Sequence, residues 1–167
     1  MNLPSPSEGR IKMEENLVTL KIDDKEVKVK QGTTILQAAK QAGIDIPTLC
    51  FLKDINEVGD CRMCIVEVDG RKGFATSCIQ KAEEGMVVHT HSPAVMEARR
   101  VILDLILSNH HRDCLPCSRN GNCELQALAM KFNVQHVEFE GEMTEHKVDD
   151  KSPAIMRDFN KCILCRR

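Results

Sequence analysis

The sequence predicts an α+β chain: a small mixed sheet gripping one helix, followed by a small unit that is mostly helical. Three observations carry that expectation. Short stretches of period-two alternation flank one helical stretch before residue 90. A longer, well-capped helical pattern begins at Ser92. The nine cysteines of the 167 residues gather in groups at the ends of these elements.

Val18, Leu20 and Ile22 alternate with Thr19 and Lys21, as in a half-buried strand. Residues 23–26 are polar turn material, and Val27 and Val29 alternate with Lys28 and Lys30 in a returning strand. Thr33 or Thr34 can cap a helix carrying Ile35, Ala38, Ala39 and Ala42 at i, i+3, i+4, i+7. Gly43 then stands where a left-handed residue ends a helix. Pro47 opens an irregular stretch through Cys64, the length of a functional loop. Ile65–Val68 reads as a strand, Asp69-Gly70 as a hairpin turn, residues 74–78 as the return, and residues 86–89 as a fifth strand. This module is expected over residues 16–91.

Ser92 caps the next helix, with Pro93 at its first position. Val95, Ala98, Ile102, Leu105 and Ile106 give it an apolar face as far as about Asn109, roughly 25 Å of helix. A shorter helix after Cys123 places Leu125, Leu128, Ala129 and Phe132 on one side. Residues 133–155 read as a connector with a short strand at 137–139 and an acidic loop around Asp149 and Asp150. The expected divisions are a disordered leader at 1–15 (Met13 could serve as an internal start), the sheet module at 16–91, the helical unit at 92–140, and a terminal segment at 141–167.

Lys plus Arg is 23 and Asp plus Glu is 25, a net charge of -2. That balance offers no basic footprint for nucleic acid. Five Phe with no Trp or Tyr leave the core to aliphatic side chains, so bound metal is expected to carry part of the folding free energy. No apolar run has signal-peptide or membrane-spanning length. An odd cysteine count fits poorly with a closed disulfide framework. A cytoplasmic, reducing location is the consistent expectation.

Cys50, Cys61, Cys64 and Cys78 form C-x10-C-x2-C-x13-C. Three thiolates come from one loop and the fourth from the end of a hairpin, the arrangement that holds a 2Fe-2S cluster. Gly59 would let backbone N–H groups come close to the cluster sulfurs. Cys61 and Cys64 alone would also suit a structural zinc knuckle, but zinc motifs pair two short hooks, and here Cys50 and Cys78 stand alone. Met63, between the ligands, reads as packing. His110, Cys114, Cys117 and Cys123 form a second set, H-x3-C-x2-C-x5-C, with His111 a less well spaced competitor. By itself it suits zinc as well as iron, and the neighbouring set favours iron. His89, His91, His136 and His146 read as solvent-facing. No Ser–His–Asp arrangement, phosphate loop or acid–base carboxylate pair stands out.

The strings Asp45-Ile46-Pro47-Thr48-Leu49-Cys50 and Gly59-Asp60-Cys61-Arg62-Met63-Cys64-Ile65-Val66-Glu67-Val68 resemble the N-terminal ferredoxin segment of iron-only hydrogenases. The same segment opens the large iron–sulfur subunit of NADH:quinone oxidoreductase and some NAD(P)-linked formate dehydrogenases. The second set, with Asn120-Gly121-Asn122-Cys123-Glu124-Leu125-Gln126, resembles the His-ligated 4Fe-4S motif that follows in those families. The resemblance implies a β-grasp, 2Fe-2S ferredoxin-like domain followed by a small helical His/Cys3 4Fe-4S domain. Replacing one thiolate by neutral imidazole removes negative charge, so the second cluster is expected to have a raised potential.

Asn160-Lys161-Cys162-Ile163-Leu164-Cys165-Arg166-Arg167 looks like the opening of a bacterial ferredoxin run, C-x2-C-x2-C-x3-C-P. Cys162 and Cys165 make an incomplete third set, which reads as the N-terminal fragment of a longer polypeptide with further 4Fe-4S clusters. Cys50-Phe51-Leu52-Lys53, Leu107-Ser108-Asn109-His110 and Phe139-Glu140-Gly141-Glu142 look closest to the iron-only hydrogenase type, NAD(P)-linked. That resemblance implies an electron carrier with no catalytic residues of its own. Its partners would be a flavin/NAD(P)-binding subunit and other iron–sulfur subunits of one complex. The rivals are a zinc-stabilised binding module and a stand-alone ferredoxin.

Overall fold

Alternation along β1 (Leu17–Ile22) buries Leu20 and Ile22 while Lys21 stays in solvent. The computed structural model describes residues 16–140 and 143–167, so the leader expected at 1–15 lies outside the described residues. Asp23, at φ 51°, takes the left-handed position of the turn into β2 (Lys25–Lys30). The two strands pair antiparallel from Leu17 opposite Lys30 to Ile22 opposite Lys25. Thr34 closes a capping box with Gln37 and starts α1 (Ile35–Gln41), whose Ile35, Leu36, Ala38 and Ala39 are buried. A reciprocal cap of this kind satisfies two backbone donors that a helix start leaves open.

β3 (Ile65–Val68) and β4 (Phe74–Thr76) form the second hairpin, and β5 (Val87–His89) lies between it and β1. The sheet runs β2-β1-β5-β3-β4, with β5 parallel to β1 and antiparallel to β3. It is thus mixed, as expected, and α1 packs on it. The return strand ends at Thr76 rather than at residue 78, because the Thr76 carbonyl accepts from the N–H groups of Ile79 and Gln80. That turn withdraws Cys78 from the ladder and folds it into the interior, where it is buried.

Ser92 caps α2 (Pro93–Ser108) through Val95 N–H at 3.3 Å. The face it buries differs in part from the expected one. Val95, Arg99, Leu103, Asp104 and Leu107 are buried, while Leu105 is 50% exposed and Ala98, Ile102 and Ile106 are half-buried. The helix has apolar residues on two adjacent stripes, and tertiary partners decide between them. The Arg99 guanidinium donates to the Ile65 carbonyl at 2.7 Å, and the Asp104 carboxylate accepts from the Glu138 N–H. That second bond also explains why residues 137–139 form no strand: the Glu138 donor is spent on a side chain instead of a neighbouring strand.

Two apolar clusters result. The larger fills the space between sheet and α1 and includes Cys64 and Cys78. The smaller joins Leu49 and Met63 of the long loop to Leu103 and Leu107 of α2, and to Leu125 and Phe132 at α3 (Glu124–Lys131). Phe132 is the only aromatic buried among the described residues. Each fully buried aliphatic side chain contributes about 1.5–3 kcal/mol, so this second cluster is what fastens the two cysteine-bearing regions to each other. No described helix is long and apolar enough to cross a membrane.

Candidate iron–sulfur centres

The loop from Pro47 to Cys64 is shaped by backbone geometry that few residues tolerate. Gly59 has φ +71°, and a Cβ there would lie 3.1 Å from Thr76 Cγ2 and 3.3 Å from Ile79 Cδ1. The structure therefore gives Gly59 a role that its sequence context does not reveal: it lets the loop lie against the turn that carries Cys78. Arg62 is also left-handed, at φ 59°, and its guanidinium donates to Thr76 Oγ1 at 2.6 Å. Together these contacts bring three cysteines of the loop to the fourth.

The four sulfurs fall into two pairs. Cys50 N–H points at Cys61 Sγ at 3.4 Å, and Cys61 N–H points back at Cys50 Sγ at 3.5 Å. Cys64 and Cys78 make the other pair, each thiol being the largest influence on the other's charge state. That influence holds Cys64 down to about 6 and, with burial, pushes Cys78 well above the usual thiol range. Burial pushes Cys61 up, against the N–H groups of Met63 and Cys50. Cys50, Cys64 and Cys78 are buried and Cys61 is half-buried. Two pairs of sulfurs, served by backbone N–H donors, match what two bridged irons require: two thiolates each, with hydrogen bonds to sulfur. Among the described residues no three His, Cys, Asp or Glu side chains converge as ligands of one metal ion.

The second set is built at the end of α2. His110 N–H bonds to the Leu107 carbonyl, and successive turns carry the chain from Cys114 through Cys117 and Asn120 to Asn122. Gln126 pins this loop, donating to Asn120 Oδ1 at 3.1 Å and accepting from Gly121 N–H at 3.0 Å. Cys123 is the residue at the N-terminal cap of α3. His110, Cys114, Cys117 and Cys123 all line one cavity, with His111 and Lys161 on its wall.

Burial, reinforced by Lys161 and His111, lowers the His110 pKa, so the ring is neutral and can donate a lone pair. Its Nδ1 is buried with no hydrogen-bond partner, as is Nε2 of His111. An orphaned ring nitrogen beside three thiols is a donor set that fits an iron–sulfur cluster. Sequence spacing favoured His110 over His111, and the structure places both at the cavity.

Cys162 and Cys165 lie on a segment that crosses both loops. Asn56 Nδ2 donates to the carbonyls of Cys50 and Cys165. Arg167 reaches Glu124 and the Phe51 carbonyl. Lys161 Nζ bonds to the His111 carbonyl and to Asp113 Oδ1. Cys162 is exposed and Cys165 half-buried, and neither lines the cavity of the second set. Sequence reasoning passed over Asn56, Arg99 and Lys161, since nothing in their local pattern marks a partner so far along the chain. His89, read as solvent-facing, keeps 41% of its side chain exposed and is bonded to Asp69 at 2.9 Å.

Comparison with known proteins agrees with this geometry. Residues 15–93 match the model of a 2Fe-2S iron-sulfur cluster binding domain, and residues 99–138 match the NADH-ubiquinone oxidoreductase-G iron-sulfur binding region. The chain is 45% identical over 157 residues to the NADP-reducing hydrogenase subunit HndD of Solidesulfovibrio fructosivorans, covering 91% of this chain and 27% of that protein. It is 36% identical over 152 residues to the mitochondrial NADH-ubiquinone oxidoreductase 78 kDa subunit of Neurospora crassa, covering 90% of this chain and 20% of that one. The chain thus spans about a quarter or less of these curated relatives. Among solved structures, an NAD+-reducing [NiFe]-hydrogenase in the H2-reduced state superposes with a TM-score of 0.82 at 32% identity, over 89% of this chain and 62% of that one.

Proposed function

We propose that this chain, a 2Fe-2S binding domain joined to a 4Fe-4S binding region and so an iron–sulfur electron-transfer module, is the electron-relay N-terminus of an NAD(P)-linked, iron-only hydrogenase. Cys50, Cys61, Cys64 and Cys78 hold the first cluster, and His110, Cys114, Cys117 and Cys123 hold the second. Bound in these sites, the clusters would supply one-electron oxidation and reduction at iron. The protein's part is to hold the ligands, keep water from the space between them and set the local charge.

One observation carries the relay reading. Cys61 of the first set and Cys123 of the second pack against the same buried cluster, formed by Leu49, Met63, Leu103, Leu107, Leu125 and Phe132. A shared dry interior between two redox sites is what single-electron transfer needs, and a pair of independent zinc sites would have no use for it. The hydrogenase reading rests on the 45% identity to a NADP-reducing hydrogenase subunit. Its partners are then a flavin/NAD(P)-binding subunit and other iron–sulfur subunits. Because the oxidoreductase-G region also matches, the second reading is the corresponding segment of an NADH:quinone oxidoreductase large subunit.

The test uses the intact protein that carries this chain, purified without oxygen. Iron and acid-labile sulfide should both be present, with one 2Fe-2S and at least one 4Fe-4S EPR signal after reduction. Hydrogen gas should reduce both. Reduction by NADH alone, with no response to hydrogen, would favour the quinone-linked reading. Stoichiometric zinc without sulfide would overturn the relay itself.

A further inference from the structure

The largest fully buried side chain in the structure is a cation. Arg99 is 0% exposed. One guanidinium nitrogen donates to the Ile65 carbonyl at 2.7 Å, while Nε is buried with no partner. A buried charge costs several kcal/mol unless an opposite charge faces it. The anionic group that acts on it most strongly is the Cys64 thiolate, ahead of Asp23 and Asp45. Ile65, whose carbonyl it grips, is the residue next to Cys64.

We infer that Arg99 is the buried counter-ion of the first cluster, a positioning and tuning residue that raises its reduction potential. This rests on the reading that Cys64 is one of that cluster's four ligands. Four thiolates around two irons leave the centre negative, and reduction adds one more negative charge. A fixed cation beside it stabilises the reduced form more than the oxidised form, because Coulomb energy scales with the charge it faces. Burial strengthens the effect, since little water intervenes to screen it. The guanidinium also anchors α2 to the strand that follows Cys64, so the same bond that supplies the charge joins the helix leading to His110 to the first site.

The experiment is potentiometric titration, followed by EPR, of the intact holoprotein and two variants. Arg99→Gln removes the charge and keeps a donor. Arg99→Lys keeps the charge and loses the planar fork. Arg99→Gln should lower the 2Fe-2S midpoint by at least the equivalent of a tenfold fall in the reduced-to-oxidised ratio at fixed ambient potential, about 59 mV for one electron. Arg99→Lys should stay close to the parent value. The second cluster, read in the same sample, should not move in either. Loss of the 2Fe-2S signal in Arg99→Gln with retention in Arg99→Lys also supports a requirement for charge.

An unchanged midpoint in Arg99→Gln, or Arg99→Lys behaving like Arg99→Gln, overturns the inference and leaves Arg99 as a structural donor. The two levels separate cleanly. Absence of a 2Fe-2S signal in the parent protein defeats the ligand reading, whereas a signal that ignores residue 99 defeats only the counter-ion.

Discussion

The side-chain amide of Asn56 donates to the carbonyl oxygen of Cys165 at 2.9 Å, across 109 residues of sequence. The same nitrogen donates to the Cys50 carbonyl at 2.8 Å, and Asn56 is 6% exposed. One amide therefore ties the first cysteine loop both to itself and to the terminal segment that carries the third cysteine pair. Asn56→Leu would leave two carbonyls near a group that cannot donate. An unsatisfied buried acceptor costs about 1–3 kcal/mol. Thermal unfolding followed by circular dichroism should show that loss. Limited proteolysis should cut the terminal segment faster in the variant, and equal rates would mean that the bond does not hold the segment.

Gly59 and Gly70 offer a controlled comparison. Both have positive φ, +71° and +76°, but a Cβ at Gly70 meets nothing within 4 Å, while one at Gly59 meets Thr76 and Ile79. Alanine at Gly70 should cost only the left-handed backbone penalty, about 1–2 kcal/mol. At Gly59 the same penalty is joined by displacement of the turn that presents Cys78. Denaturant titration should rank Gly59→Ala clearly below Gly70→Ala, and only Gly59→Ala should lower the 2Fe-2S absorbance per chain.

The residues that sequence reading placed well are those whose signal is local. Val18, Leu20 and Ile22 alternate because one face of β1 is buried, and Thr34 caps α1 because its own side chain closes the first turn. The two iron–sulfur binding regions were equally legible, since cysteine spacing concerns ligand type and interval rather than packing. The stripe read on α2 is only partly the buried one: Val95 is buried and Ile102 and Ile106 pack on the second cluster, but Leu105 is exposed. Arg99 and Asp104 look like solvent residues on any helical wheel, and only Ile65 and Glu138, 34 residues away on either side, make their burial tolerable. The expected strand at 137–139 failed for the same reason, because the Glu138 donor had a side-chain acceptor that local pattern does not reveal. Domain-scale chemistry was written in short motifs, whereas the charge environment of the sites was written in contacts between distant elements.

His110→Cys tests the charge argument for the second set. A fourth thiolate adds negative charge where a neutral ring now sits, so adding an electron becomes more costly. The midpoint of the 4Fe-4S centre should fall by roughly a hundred millivolts, in the direction that separates His-ligated from all-Cys centres. Potentiometry on the intact protein reads it, with the 2Fe-2S signal as the internal reference. No fall, or a rise, would place the ligand elsewhere, with His111 as the first alternative, because its Nε2 is also buried and unpartnered at the same cavity.

Acid should separate the two sites through the same histidine. Burial is the main cause that lowers the His110 pKa below its ordinary value of 6.5. The unfolded or detached ring therefore takes up a proton at a pH where the folded ring stays neutral. A group whose folded pKa is depressed contributes stability that is present above its unfolded pKa and is lost as pH falls through the folded value. Ligation to iron works with the same sign, since a bound ring nitrogen cannot carry a proton. The loss should thus begin below pH 6.5 and deepen as the solution becomes more acidic, with no loss from His110 above it. Loss of the 4Fe-4S signal on stepwise acidification should follow that course, and His110→Cys should abolish the component that begins there. If the variant releases its cluster along the parent's curve, the acid sensitivity belongs to the cysteines and the ring is a bystander.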